Sequence, residues 1–126
     1  MENTRKRILV IDDEPDITNM VKVRLEANSF EVITAFDGDE GFKKLRFEKP
    51  NLVILDVMLP GMGGYELCAR IKASESTMGI PVLMLTARVG DIDKKMGFQC
   101  GADSYIPKPF ESDTLLSEVS RLLETR

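Results

Sequence analysis

Four short segments in which apolar residues are consecutive place the strongest limit on how this chain can fold. They span residues 8–11, 32–35, 52–55 and 82–85, and the second of them is the least apolar. Strands covered on both faces have this pattern, whereas strands with one solvent-exposed face alternate apolar and polar residues. Residues 104–106 form a shorter, polar-flanked segment that is typical of an edge strand. We therefore predict a sheet of five strands that is covered on both faces.

Between and after these segments, apolar residues recur at the spacing of a helix. Pro15 suits the first position of a helix, Gly63 or Gly64 can open the third helix, and Gly101 can end the fourth. The helical stripes lie within residues 17–25, 42–45, 67–71, 92–100 and 115–123. Strictly alternating strands and helices imply parallel strands joined by right-handed crossovers. The prediction is a three-layer, doubly wound α/β fold.

Length and charge limit the class of protein. The chain has 126 residues, 43% of them hydrophobic, which suits one globular domain over residues 1–126. Its net charge of -4 disfavours direct contact with nucleic acid, which needs clustered Lys and Arg. The apolar runs are far shorter than the roughly 18 residues of a membrane span, and no signal-peptide pattern precedes Ile8. We expect a soluble, cytoplasmic protein that makes no membrane contact.

The absence of histidine and the positions of the two cysteines exclude some metal sites and catalytic groups. The sequence contains no histidine, and Cys68 and Cys100 are far apart along it. Zinc sites of the common kinds and catalytic triads that depend on histidine are therefore excluded. We predict that both cysteines are reduced and buried.

Polar side chains follow four of the five predicted strands. Asp12 and Asp13 follow the first strand, Asp56 the third and Thr86 the fourth, while Lys108 comes shortly after the fifth. Ligands of doubly wound sheets bind beyond the carboxyl ends of the strands, where the strand order reverses. If the order is 2-1-3-4-5, the three aspartates lie close together. Their charge less that of Lys108 leaves two negative charges, and ligands that are all oxygen favour Mg²⁺, with Mn²⁺ as the alternative.

A plainer interpretation exists for part of this cluster. Asp12 or Asp13 alone would more often cap the helix that follows than bind a ligand. Asp56 is harder to explain in that way, because it stands between apolar residues and a buried carboxylate is costly unless it is paired or used. The combination of charged and polar groups at four strand ends favours a functional site.

The stretches of sequence around these residues resemble the motifs of the response-regulator receiver domain of bacterial two-component signalling. The matching strings are VIDDEP (10–15), LDVMLPGM (55–62), LTA (85–87), GAD (101–103) and KPF (108–110), in order over nearly the whole chain. The resemblance implies a flavodoxin-like (βα)5 fold with the strand order 2-1-3-4-5. It also implies a cis peptide bond between Lys108 and Pro109.

The resemblance assigns roles around a phosphorylation site. Asp56 would accept a phosphoryl group from a phosphohistidine on a sensor histidine kinase or a histidine phosphotransfer protein, since this chain has no histidine. Acetyl phosphate could replace that donor. Asp13, Asp56 and the backbone carbonyl of Met58 would hold Mg²⁺ directly, and Asp12 would act through water. Lys108 would pair with the phosphoryl oxygens.

The resemblance also implies a switch. Thr86 would hydrogen-bond the phosphoryl group and Tyr105 would turn inward, changing the surface formed by the fourth helix, fifth strand and fifth helix. That surface would control an output domain or a downstream protein, and a phosphorylation-dependent homodimer is left open. The side chains of Met58 and Arg88 would tune the lifetime of the phosphoryl group.

Two other functions compete with this one. An aspartate-nucleophile phosphatase would also use Asp56, but it needs a second carboxylate at the position of Met58, so we do not expect an enzyme that turns over external substrates. A receiver-like docking module without phosphorylation is the other alternative. The sequence leaves open whether the domain stands alone or belongs to a longer regulator, and it does not identify the kinase or the pathway.

Overall fold

The sheet is parallel and five-stranded. In a computed structural model that describes residues 5–86 and 99–124, the strand order is β2-β1-β3-β4-β5, as the sequence predicts. The edges are β2 and β5, the two segments whose apolar pattern is weakest. The strands are β1 (Arg7–Ile11), β2 (Glu31–Ala35), β3 (Leu52–Asp56), β4 (Val82–Thr86) and β5 (Ser104–Pro107).

Four helices are described. They are α1 (Pro15–Ala27), α2 (Gly38–Glu48), α3 (Gly64–Ala73) and α4 (Ser112–Glu124). The helix predicted as the fifth is therefore α4, and most of the predicted fourth helix falls in residues 87–98, outside the described part of the chain. Pro15 is the first residue of α1, and Gly63 caps α3, as predicted. The N-cap of α1 is Glu14 rather than either of the aspartates before it.

The sheet is covered on both faces by separate apolar clusters. Alternate residues of β1 enter different clusters: Leu9 and Ile11 pack with α2 and α3, whereas Ile8 and Val10 pack with α1 and α4. All four of these side chains are at most 1% exposed. A strand whose two faces are both buried cannot carry a polar face, which explains the consecutive apolar residues.

Two sequence predictions need adjustment. The strands β3 and β4 each extend one residue further than predicted, so that Asp56 and Thr86 are their last residues. Cys68 is buried as predicted, but the prediction is wrong for Cys100, which is only half-buried because it lies in the turn before β5. Among the described residues, no helix has the length and apolar character that crossing a membrane requires.

Candidate functional site

Three carboxylates meet at the carboxyl edge of the sheet. Asp12 follows β1 directly, and its amide donates to the carbonyl of Ala35, while Asp56 ends the neighbouring strand β3. One oxygen from each of Asp12, Asp13 and Asp56 lies within 4.8 Å of the others. Asp12 and Asp56 are only 2% and 3% exposed, whereas Asp13 is exposed. The cluster therefore has a buried base and an open side.

Lys108 bridges the two buried carboxylates. Its Nζ donates to Oδ2 of Asp12 at 3.0 Å and to Oδ2 of Asp56 at 3.3 Å. The backbone of Lys108 is held as well, because its amide donates to the carbonyl of Thr86 at 2.7 Å. The Lys108–Pro109 peptide bond is cis, which confirms the expectation.

Burial and hydrogen bonding shift the pKa values of Asp12 and Lys108 in opposite directions. Burial raises the pKa of Asp12, and the hydrogen bonds from the Glu14 amide and from Lys108 offset only part of that effect. Burial alone would lower the pKa of Lys108, but the hydrogen bond to Asp12 and the charge of Asp56 outweigh it and raise that pKa. Lys108 therefore stays charged at neutral pH and partly compensates the carboxylates.

Backbone amides orient the same two carboxylates. The amide of Met58 donates to Oδ1 of Asp56 at 3.1 Å, and the amide of Glu14 donates to Oδ1 of Asp12 at 2.9 Å. Each buried carboxylate thus has one oxygen on a backbone donor and the other on Lys108. Such fixed donors limit the rotation of the carboxylates and hold them ready to act as ligands or as a nucleophile.

The other predicted residues that are described lie on β4, on β5 and just after β3. Thr86 is fully buried at the end of β4, next to β3, and Tyr105 is half-buried on β5, paired in register with Met84. The side chain of Met58 is 54% exposed beside Asp56. Arg88 lies outside the described residues.

Two residues that support the site were missed by the sequence analysis. The hydroxyl of Thr18, a buried residue of α1, lies within hydrogen-bond distance of the backbone carbonyls of Asp12, at 3.2 Å, and Glu14, at 3.0 Å. A threonine inside an otherwise apolar helical stripe is the only signal that could have found it.

Gly64 is the second missed residue. Its amide donates to the carbonyl of Val57 at 3.0 Å, and a Cβ added at this position would collide with the carbonyl oxygen of Asp56 and the Cα of Val57. Only a residue without a side chain lets α3 begin directly against the loop after β3. The sequence showed that a glycine could open this helix, but not that the backbone of Asp56 packs on it.

An open cavity adjoins the carboxylates. It has a volume of about 490 Å³ and is lined by Asp13 together with residues 57–60 and 63–65. Asp13 and Met58 line the same space, so a ligand in the cavity can reach the exposed carboxylate of the cluster.

The donor set fits a hard divalent cation. The three carboxylates offer only oxygen ligands, and their three negative charges face the single positive charge of Lys108. Oxygen ligands and an excess of negative charge are what Mg²⁺ and Mn²⁺ require. The same carboxylate and ammonium groups also suit phosphoryl transfer, which depends mainly on positioning and on neutralising charge.

This fold and this acidic edge agree with the regulatory α/β domain that the sequence motifs resemble. The chain belongs to the response regulator receiver domain family, whose model matches residues 8–120. The family resemblance seen in the sequence motifs is thereby confirmed.

Individual relatives agree with the family. The chain is 42% identical over 118 residues to the alkaline phosphatase synthesis transcriptional regulatory protein PhoP of Bacillus subtilis, covering 94% of this chain. It is 45% identical over 118 residues to the DNA-binding dual master transcriptional regulator RpaA of a Synechocystis species, covering 93% of this chain. The chain spans about half the length of these curated relatives, 48% of each.

The fold has a close match among solved structures. A putative response regulator from Chloroflexus aurantiacus superposes with a TM-score of 0.93 at 35% identity. The superposition covers 96% of this chain and 99% of the other. The fold of the described residues is therefore shared with that protein.

Proposed function

We propose that this domain is a phosphorylation-dependent switch that accepts a phosphoryl group on Asp56. The observation that carries the proposal is the position of Lys108 between the buried carboxylates of Asp12 and Asp56. The third carboxylate of the cluster, Asp13, lines an open cavity. The partly buried ammonium group of Lys108 can neutralise a phosphoryl group attached to Asp56 as readily as it pairs with the carboxylate.

The reaction would be a transfer between two proteins. A carboxylate oxygen of Asp56 attacks the phosphorus, and the bond from phosphorus to the nitrogen of the donor's phosphohistidine breaks. The donor histidine keeps the electron pair of that bond and takes up a proton, while Asp56 becomes an acyl phosphate. Lys108 balances negative charge on the phosphoryl oxygens. The phosphohistidine belongs to a sensor histidine kinase or a histidine phosphotransfer protein, because this chain has no histidine.

We propose that Mg²⁺ assists this transfer, with Mn²⁺ as a substitute. Asp13, Asp56 and the backbone carbonyl of Met58 would bind the ion directly, and Asp12 would bind it through water. When bound, the ion supplies positive charge next to the transferring phosphoryl group. The proximity of the three carboxylates supports this assignment.

The switch would operate through the neighbouring strands. The buried Thr86 at the end of β4 would hydrogen-bond the phosphoryl group, and the half-buried Tyr105 on β5 would then turn inward. A ligand shifts a conformational equilibrium only if it interacts better with one state, and Thr86 and Lys108 provide that difference. The changed surface would comprise the predicted fourth helix, β5 and α4.

Output would come from another domain or another protein. Two relatives carry names of transcriptional regulators, and about half of their length lies outside the match. We propose that this domain likewise acts in the cytoplasm on an output domain or on a downstream partner, and that it does not itself contact nucleic acid. A phosphorylation-dependent homodimer is compatible with the same surface.

The phosphatase alternative is less well supported. Two residues after Asp56 stands Met58, whose amide holds the Asp56 carboxylate and whose side chain carries no group able to transfer a proton. A transferred phosphoryl group would therefore stay on Asp56 instead of passing rapidly to water.

The proposal is tested by the intact mass of the domain after incubation with acetyl phosphate, with and without Mg²⁺. We expect the mass of one added phosphoryl group, seen only when Mg²⁺ is present and lost in Asp56→Asn. Asp39→Asn is the matched control, because Asp39 is an exposed aspartate at the start of α2 and lies outside the carboxylate cluster.

Two outcomes would contradict the proposal. Steady release of phosphate from many added phosphate esters would indicate the phosphatase. If no adduct forms, binding of beryllofluoride separates rapid loss of the phosphoryl group from a site that does not accept one. Failure of both measurements would favour the docking module.

A further inference from the structure

Cys68 and Cys100 are brought together by the fold, although the sequence separates them by 32 residues. The thiol of Cys68, on the buried face of α3, donates to the backbone carbonyl of Cys100, with Sγ and O 3.5 Å apart. Interaction between the two thiols also shifts the pKa of each, in opposite directions. The pair belongs to one apolar cluster, in which Cys68 is completely buried and Cys100 is partly open.

Two further contacts hold the turn that carries Cys100 against α3. Lys72, one helical turn after Cys68, forms an ion pair with Asp103 at 2.8 Å. Lys72 also packs on Gly101, where an added Cβ would lie 2.8 Å from its Cγ. Gly101 itself has a φ of +99°, a conformation that few other residues adopt. These contacts of Lys72 hold the turn that carries Cys100 against α3, beside Cys68.

The same contacts make the two thiols unequal. The side-chain interaction with Cys68, together with a smaller contribution from the backbone of Ala102, outweighs burial and lowers the pKa of the Cys100 thiol below its ordinary value. The pKa of Cys68 is raised, because the pair shares a hydrogen bond and Cys68 is buried. Thiolates are the reactive form of cysteine, so Cys100, which is also the more accessible, reacts first.

We propose that Cys68 and Cys100 form a reversible disulfide when the domain meets hydrogen peroxide. The Cys100 thiolate attacks the peroxide oxygen, the oxygen–oxygen bond breaks, and the departing hydroxide takes a proton to become water. The resulting sulfenic acid is attacked by the sulfur of Cys68, which loses its proton as a second water leaves. With hydrogen peroxide, two thiols and one peroxide give one disulfide and two waters.

A bond at this position would affect the segment between the cysteines. It would close a loop that contains β4, including Thr86, and residues 87–98, and it would tie the end of that loop to α3. Disulfides inside cells are usually transient and sense oxidants. The sulfur of Cys68 already contacts the backbone of Cys100, so the two residues are neighbours in the folded domain. This inference stands independently of phosphorylation at Asp56.

The test is peroxide treatment of the fully reduced, folded domain. We expect loss of both titratable thiols, a mass lower by two hydrogen atoms, and a non-reducing peptide map in which Cys68 and Cys100 are joined. A thiol reductant should reverse all three changes. Asp56→Asn should form the same disulfide, so that failure of the phosphorylation proposal and failure of this one can be told apart.

Single-cysteine variants test the order of the steps. In Cys68→Ser, Cys100 should stop at the sulfenic acid and be trapped by dimedone, whereas in Cys100→Ser the buried Cys68 should stay reduced at the same peroxide dose. Circular dichroism checks that each variant is folded, and Cys68→Ala replaces Cys68→Ser if the buried hydroxyl is not tolerated. The proposal is overturned if both thiols survive, if the disulfide joins two chains, or if it forms only in urea.

Discussion

The ammonium nitrogen of Lys108 lies 3.3 Å from Oδ2 of Asp56, across 52 residues of sequence. Asp56 ends the central strand β3, while Lys108 follows the edge strand β5, so the contact joins the middle of the sheet to its rim. It partly neutralises a buried carboxylate in the unmodified domain. In the function proposed above, the same ammonium group would hold the phosphoryl oxygens.

Replacing Lys108 should therefore affect stability as well as phosphorylation. Lys108→Met removes the ammonium group that the described part of the chain places against the buried carboxylates of Asp12 and Asp56. We expect the free energy of unfolding without Mg²⁺ to fall by about 2 kcal/mol, less than for a fully enclosed pair because one side of the cluster is open. Urea unfolding followed by circular dichroism measures this change.

Lys43→Met provides the control for that measurement. Lys43 is an exposed lysine of α2, so its replacement should change the free energy of unfolding by no more than about 0.5 kcal/mol. Equal effects of the two substitutions would show that the bridge from Lys108 contributes nothing specific.

A divalent ion that binds the folded domain should stabilise it. The thermal unfolding temperature should rise with the logarithm of the Mg²⁺ concentration above the Kd, with a gain of about 1.4 kcal/mol at ten times the Kd. Asp13→Asn should abolish most of the gain, since Asp13 is the exposed member of the carboxylate cluster. Asp39→Asn should keep it. A rise that is the same in all three proteins would argue for a nonspecific salt effect.

Gly64 and Gly63 offer a matched pair for the loop that carries Asp56. In Gly64→Ala the new methyl group meets the backbone of Asp56 and Val57, and we expect a loss of about 1–3 kcal/mol together with slower phosphorylation. In Gly63→Ala the methyl group meets no atom within 4 Å, so the change should be small. Comparable stability of the two variants would refute the packing explanation.

Substitutions of Thr86 should separate the phosphorylation of Asp56 from the response of Tyr105. Thr86→Ala should still take up the phosphoryl group, because Thr86 is not the acceptor, but the aromatic NMR signals of Tyr105 should no longer shift on phosphorylation. Thr86→Ser keeps the hydroxyl and should retain the shift. If Tyr105 responds equally in Thr86→Ala, the hydroxyl does not couple the two positions.

Much of the fold could be predicted because burial on both faces leaves a direct trace in the sequence. The central strands β1, β3 and β4 each contain four consecutive apolar residues. Their parallel pairing follows from the helices between them. The ends of β3 and β4 were predicted one residue short, because Asp56 and Thr86 are polar residues inside strands. Polar strand residues that break the apolar pattern are where functional groups are found.

The site was predictable to the extent that it depends on strand ends. The meeting of Asp12 and Asp56 follows from the strand order, whereas the approach of Cys100 to Cys68 depends on how a turn packs on a helix. No motif or spacing in the sequence indicates such a contact. The packing of Gly64 was hidden for the same reason, since the sequence shows a glycine but not the backbone that lies against it.

The central claim is that Asp56 itself becomes an acyl phosphate. Borohydride reduces an aspartyl phosphate to homoserine, so the domain should be treated with acetyl phosphate and Mg²⁺, reduced, and digested for peptide mass spectrometry. The account predicts homoserine at position 56 and unchanged aspartate at positions 12 and 13. Homoserine at either of those positions, or an unmodified residue 56 in protein that gained a phosphoryl group, would contradict it.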